Sequence, residues 1–246
     1  MKFILSPAKT LKIQPTTINP TIPQTHSLTV KLLKKLKQLK LNQYESIFST
    51  SQKLSQQVHT SMHSNVIHPA IYYYHGEAFK SLNISDMNDK DISYIQKHVY
   101  IYSALYGLVR PLDGIQFYRL DFLTPLEKLG VNHAHTIIKK DITHKLSHDE
   151  DDVIVLLCSQ EYKDMIDLSK LRKHKKIIDI IFISIQNEKE KIVSVHAKQA
   201  RGSFLKQCIM SSVTELEGLY SITSFNGWNI DIETSTPTQR VYKKSF

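Results

Sequence analysis

Arg110 and Arg119 stand in a stretch that must turn sharply: Leu105-Tyr106-Gly107-Leu108-Val109-Arg110-Pro111-Leu112-Asp113, running on to Tyr118-Arg119-Leu120-Asp121. Guanidinium forks held by such a turn suit a phosphate or carboxylate. A second cationic pair, Lys198 and Arg201, lies in Ala197-Lys198-Gln199-Ala200-Arg201-Gly202. At i, i+3 the two share a helix face, and near a helix start they oppose the macrodipole unless an anion sits there. A third candidate is Ser6-Pro7-Ala8-Lys9-Thr10, where Ser6 caps a short helical turn with Pro7 in first position. Free N–H groups there, with Lys9, would hold an anion. Ser6-x-x-Lys9 also matches the Ser–Lys nucleophile pattern of penicillin-binding enzymes, but the Ser-Asp-Asn and Lys-Thr-Gly partner motifs are absent from the sequence. His59 with His63, and His144 with His148, have the i, i+4 spacing of metal ligands, but no His-Glu-x-x-His motif and no nearby cysteine supports them. No metal or cofactor is expected.

Elements positioning these groups follow from periodicity. Lys2–Leu5 reads as a short buried strand, and Val153–Leu157 as a continuous apolar strand from the middle of a sheet. Ser159-Gln160-Glu161-Tyr162 sits just past its carboxyl end, where open α/β sheets keep their sites. Leu28–Leu41 is a basic amphipathic helix with Leu32, Leu33, Leu36 and Leu39 on one face and Lys31, Lys34 and Lys35 opposite. Gln43–His59 continues as helix. Ile71–Tyr74 is strand-like and turns at Gly76. Ile92, Ile95, Val99, Tyr102 and Tyr106 recur at helical spacing, predicting one long helix that Gly107 stops. Ala134–Leu146 is helical. Ile177–Ile185 and Ile192–His196 form a hairpin around a polar turn, a helix runs from Ala197 to about Glu217, and Gln239–Lys243 adds an edge strand. The fold class is therefore α/β (α+β), one domain over residues 1–246, with a mixed sheet flanked by helices and a helix-hairpin-helix-like segment.

The 246 residues suffice for a full core, and 41% hydrophobic with 22% charged residues excludes a disordered chain. No apolar run reaches the roughly 18 residues of a membrane span. Cys158 and Cys208 form no framework, so the cytoplasm is the expected compartment. The net charge is +9, and residues 1–50 hold eight Lys and one Glu, so the excess is concentrated there. Such a balance points to nucleic acid or another polyanion. Dinucleotide, Walker, nucleophile-elbow and zinc-finger motifs are missing from the sequence.

These motifs, in this order, resemble the YaaA family over essentially the whole chain, with Phe225-Asn226 matching its C-terminal motif. The resemblance implies a cytosolic bacterial protein of peroxide resistance that limits unincorporated iron. It implies an unusual α/β domain whose helix-hairpin-helix, in a basic cleft, accepts duplex or branched DNA, with no established reaction. The hairpin would be Leu105–Pro111, with Gly107 at the turn and Val109 replacing a second glycine, so Arg110 supplies the charge. His75-Gly76-Glu77-Ala78-Phe79 departs from the family's Lys-Gly-Asp-x-Tyr, and Ser224 stands for a glycine. The expected phosphate contacts are Lys9, Gly107, Arg110, Arg119, Lys198, Arg201 and Gly202. Ser6, Thr10, Asp113, Tyr118, Glu161 and Tyr162 add acids and hydroxyls, which fits an alternative: an enzyme acting on a nucleotide or other phosphorylated small molecule, with Lys9 or Glu161 moving the proton. Iron binding through the histidine pairs is a third possibility.

Overall fold

The structure is a computed structural model describing residues 1–24, 27–64, 66–122 and 124–246. In chain order the elements are β1 (Lys2–Leu5), α1 (Ser27–Gln38), α2 (Leu41–Phe48), α3 (Gln52–Ser64), β2 (His68–Pro69), α4 (Glu77–Leu82), α5 (Asp89–His98), β3 (Val99–Ser103), β4 (Gly107–Val109), β5 (Gly114–Ile115) and α6 (Ala134–Ser147). There follow β6 (Val153–Leu157), α7 (Gln160–Lys163), α8 (Leu168–Leu171), β7 (Lys176–Gln186), β8 (Lys189–Lys191), α9 (Ser194–Met210), α10 (Leu216–Ser221), β9 (Ser224–Phe225), β10 (Trp228–Ile230) and β11 (Gln239–Ser245).

Among the described residues nine strands form one sheet in the order β4-β3-β1-β6-β7-β11-β10-β9, with β8 paired to β7. The central pairs β3–β1, β1–β6, β6–β7 and β7–β11 are parallel, and the outer pairs are antiparallel. The α/β class and mixed sheet are as expected. β1 and β6 are central because Phe3–Leu5 and Ile154–Leu157 are apolar on both faces and fully buried. The chain passes from β1 to β3 on one side and later to β6 on the other. The carboxyl ends of β1 and β6 therefore flank a switch point, where a crevice opens.

The segment before Gly107 is not one helix. Asn88 caps α5 in a reciprocal capping box with Asp91, and the helix ends at His98. Val99–Ser103 then runs parallel to β1 with every side chain buried. The Ser103 hydroxyl accepts the N–H groups of Leu105 and Tyr106, folding a tight turn. Gly107, at φ +78°, enters β4 antiparallel to β3. The expected helix-hairpin-helix is thus a β-hairpin. Val, Tyr and Ile in a run buried on both faces favour a strand over the helix that their spacing also fits.

Other boundaries shift for similar reasons. The helix expected over Gln43–His59 breaks at Ser49, which is left-handed at φ 49°, and resumes at Gln52. Ile71 and Tyr72 lie in a 3-10 turn rather than a strand. The mate of β7 is Lys189–Lys191, because Ser194 already begins α9. The helix expected to Glu217 ends at Met210. β11 is not an edge strand: it lies between β7 and β10, and Asn226 (φ 45°) and Gly227 (φ 77°) make the tight turn that folds β9 back on β10. Phe182 of β7, Phe204 of α9, Phe225, Trp228 and Tyr242 form an aromatic core beneath α9. No helix among the described residues is long and apolar enough to cross a membrane.

Candidate functional site

β1 delivers Ser6 to the crevice, and β6 delivers Ser159 beside it. The Ser159 N–H donates to Ser6 Oγ at 3.1 Å. Residues 6–10 form no helix, so Ser6 ties two strand ends together rather than capping a turn. The chain beyond is stitched to residues 72–75: Lys12 N donates to Tyr73 O at 2.8 Å, and His75 N to Thr10 O at 2.9 Å. Gly76 packs so closely that a Cβ there would lie 2.7 Å from Ala8 Cβ. These contacts place Lys9 and Thr10 on the wall of a cavity of about 380 Å³ at the carboxyl ends of β1 and β6. Ser6, Glu161 and Tyr162 line it from the sheet side, and Lys198 and Arg201 from α9.

Arg201 is the unusual member. It is half-buried, its Nε is buried without a hydrogen-bond partner, and among the described residues no carboxylate lies within the 4.0 Å ion-pair distance. Burial lowers its proton affinity, opposed by the nearby Cys158 and Asp179. Asp179 lies outside ion-pair distance of Arg201: its Oδ2 is 2.5 Å from Lys163 Nζ, and its Oδ1 is buried without a hydrogen-bond partner. A desolvated charge without a partner is costly. The exposed Lys198 adds a cation at the rim. Glu77 is held between Lys80 (2.8 Å) and Gln199 (2.8 Å), and these hydrogen bonds keep its carboxyl below the usual range.

Lys9 and Arg119 meet at Asp121. Lys9 Nζ is 3.0 Å and Arg119 Nη1 3.6 Å from Asp121 Oδ2. Burial pushes the Asp121 carboxyl up, but the Lys9 and Thr124 hydrogen bonds and the two cations outweigh it and hold the carboxyl low. Tyr118 is buried, its hydroxyl hydrogen-bonded to Tyr74 Oη at 2.7 Å and Ser103 Oγ at 2.8 Å. Burial raises the Tyr118 and Tyr162 hydroxyls above their ordinary range. Lys9, Tyr118, Arg119, Asp121 and Tyr162 share a small adjoining void of about 20 Å³.

The remaining expected residues lie elsewhere. Arg110 follows Val109, which pairs with Ile101, and so sits near Tyr100 toward the amino ends of β1 and β3. It lines a different cavity from Lys9 and Arg201. Asp113 is buried and structural: its carboxylate accepts the Arg110 N–H at 2.7 Å and the Thr21 hydroxyl at 2.8 Å. Burial pushes that carboxyl up. Gly107 opens β4. Gly202 serves packing, since a Cβ there would lie 1.9 Å from the Ala78 carbonyl oxygen of α4. Because α9 begins at Ser194, Lys198 and Arg201 lie beyond its first turn, and a helix terminus does not explain them.

Both ring nitrogens of His63 meet backbone carbonyls, of His59 at 2.7 Å and Lys37 at 2.9 Å. The His144 and His148 rings stack at 4.1 Å. No group of three or more metal-binding side chains forms among the described residues. Sequence reasoning left out Asp121, the counterion of two expected cations, and the half-buried Lys163–Asp179 pair. Asp179 had a signal: it is the one charge inside the apolar run Ile177–Ile185. Asp121 had none beyond its closeness to Arg119.

A family model described as peroxide stress protein YaaA matches residues 1–234. The chain is also 30% identical over 252 residues to a UPF0246 protein of Rickettsia peacockii, covering 100% of both chains. A UPF0246 protein of Rickettsia conorii matches at the same identity and coverage.

Proposed function

Because the chain belongs to the peroxide stress protein YaaA family, we propose that it serves peroxide-stress defence by binding a phosphate-bearing molecule of nucleotide size in the carboxyl-end cavity. The observation behind this reading is the half-buried Arg201, whose guanidinium has no carboxylate within 4.0 Å among the described residues, in a cavity of about 380 Å³. That volume is within the range of small-ligand sites. A duplex needs a track of cations at the surface, whereas a half-buried arginine is reached by a phosphate that enters the pocket. Lys198 at the rim adds charge, and Ser6, Thr10 and Glu161 supply polar contacts for the rest of the ligand. Calorimetry with nucleoside mono-, di- and triphosphates tests it. Arg201→Met should weaken the best of them by about tenfold or more, as loss of a charge-assisted contact does. Absence of binding by the wild-type protein at low salt would sink the reading.

Duplex or branched DNA is the second reading. It is favoured by Lys31, Lys34, Lys35 and Lys40, all exposed on or just after α1, and by the net charge of +9. DNA held this way would lose affinity steeply with salt. Replacing Lys31, Lys34 and Lys35 with Gln should flatten that salt slope, while Arg201→Met leaves it unchanged.

A further inference from the structure

The amino-terminal side of the sheet carries a second cavity, of about 530 Å³, remote in the fold from the carboxyl ends of β1 and β6. Three cations reach it: Lys2 from β1, Arg110 from the turn after β4, and Lys145 from α6. Their partners differ. Lys2 lies 3.1 Å from Asp151 and 3.7 Å from Asp149, so its charge is matched. Asp149 also receives the Tyr100 hydroxyl at 3.0 Å. Among the described residues neither Arg110 nor Lys145 has a carboxylate within 4.0 Å.

The backbone that carries Arg110 is pinned, and the Lys145 side chain is held directly. The Arg110 N–H is held by Asp113, Pro111 limits the backbone, and the next N–H, of Leu112, donates to Gln96 Oε1 at 2.8 Å. Lys145 Nζ donates to the Leu108 carbonyl at 3.0 Å and lies 5.0 Å from the centre of the Tyr100 ring. Burial lowers the proton affinity of Lys145, and the neighbouring Arg110 charge lowers it further, against the pull of Asp113 and Asp149. A carbonyl and a ring face compensate a desolvated ammonium only in part. Gln24, Asp141, Glu150, His144 and His148 complete the lining.

We propose that this cavity is a second, independent oxyanion site, in which the Arg110 fork and the Lys145 ammonium together hold the phosphate group of a small molecule. The arginine presents paired donors to two oxygens of a tetrahedral anion, and the lysine supplies a point charge to a third. Asp149 is already matched by Lys2, and Asp141 and Glu150 in the same lining repel an extended polyanion more than a compact anion held between the two cations. The site does not depend on the reading of the carboxyl-end cavity.

The test is a titration of the full-length protein with inorganic phosphate at low salt, followed through the ring signals of His144 and His148. The expected result is a saturable shift of those rings in the wild type and in Arg201→Met alike. Arg110→Ala, a change at an exposed position, should weaken that titration about tenfold or more. Arg110→Lys should recover part of it, because charge returns without the fork. Lys145→Met, checked for folding by circular dichroism, should weaken it similarly. Absence of any phosphate-dependent shift at these rings in the wild type, or an unchanged titration in Arg110→Ala, overturns the proposal. Loss of the shift in Arg201→Met would show one shared site and overturn it as well.

Discussion

At the scale of single residues, Arg201 in the carboxyl-end cavity and Asp121 in the void beside it hold charge in opposite ways. Arg201 is a desolvated cation with no carboxylate at ion-pair distance among the described residues, so removing its charge should help folding while it harms binding. Arg201→Met is expected to raise the thermal midpoint by about 2–8 °C, equivalent to about 1–2 kcal/mol in a chain of this size. A calorimetric scan checks this, and an unchanged or lower midpoint would mean that the charge is already compensated. Asp121 is the reverse case, an anion supplied by the chain itself to Lys9 and Arg119 at 3.0 and 3.6 Å. It competes with any ligand phosphate for those two cations. Asp121→Asn is therefore expected to strengthen nucleotide binding by about three- to tenfold, with Lys9→Gln cancelling the gain. If Asp121→Asn instead weakens binding, the carboxylate positions Lys9 rather than occupying it.

At the scale of elements, α4 and α9 form two walls of the carboxyl-end cavity, and their spacing rests on Gly202. The Ala78 carbonyl of α4 lies where a side chain would begin. Gly202→Ala must push the helices apart, moving Glu77 and Lys80 relative to Lys198 and Arg201. A loss of about 1–3 kcal/mol is expected from such overpacking, with weaker ligand binding alongside. Denaturant melts and calorimetry on the same variant would separate the two effects. Unaltered stability would show that the backbone contact is slack. The same glycine explains why part of the sequence reading was sound for the wrong reason. Gly202 is expected at the anion site from its motif, and the feature the fold gives it is close contact with α4. Gly107 was rightly placed at a reversal, but α5 ends nine residues earlier and the reversal joins two strands. Apolar periodicity from Ile92 to Tyr106 could not separate helix from strand once every side chain of Val99–Ser103 was buried, because full burial erases the alternation that marks a strand.

At the scale of the whole molecule, legibility followed sequence distance. β1, β6, β7 and α6 were readable because each is a local pattern of apolar residues, and the carboxyl-end location of Glu161 follows from β6 alone. The grouping of Ser6, Lys9, Glu161, Lys198 and Arg201 against Arg110 was not readable, since it depends on β4 running antiparallel to β3 and returning the chain to the amino ends. Long-range pairing also makes stability depend on pH. Asp151 receives the chain's amino group and lies 3.1 Å from Lys2, tying the start of β1 to the loop entering β6. Burial raises its carboxyl, but the amino-group and Lys2 hydrogen bonds and charges outweigh this and hold it below its ordinary value. A depressed carboxyl stabilises the fold above its unfolded value of about 3.9, and that stabilisation disappears as pH falls through the folded value. At the other limit, burial and then the Asp149 charge push Tyr100 up to about 12. Its contribution is complete below about 10, the unfolded value, and is lost as pH rises through the folded value. Stability should therefore be flat between about pH 5 and 10 as far as these two groups are concerned, falling on either side. Asp151→Asn should lower the plateau and flatten the acid limb. Tyr100→Phe should flatten only the alkaline limb. Urea melts across pH decide the matter: an acid limb unchanged in Asp151→Asn would show that the β1–β6 tie does not set the acid limit.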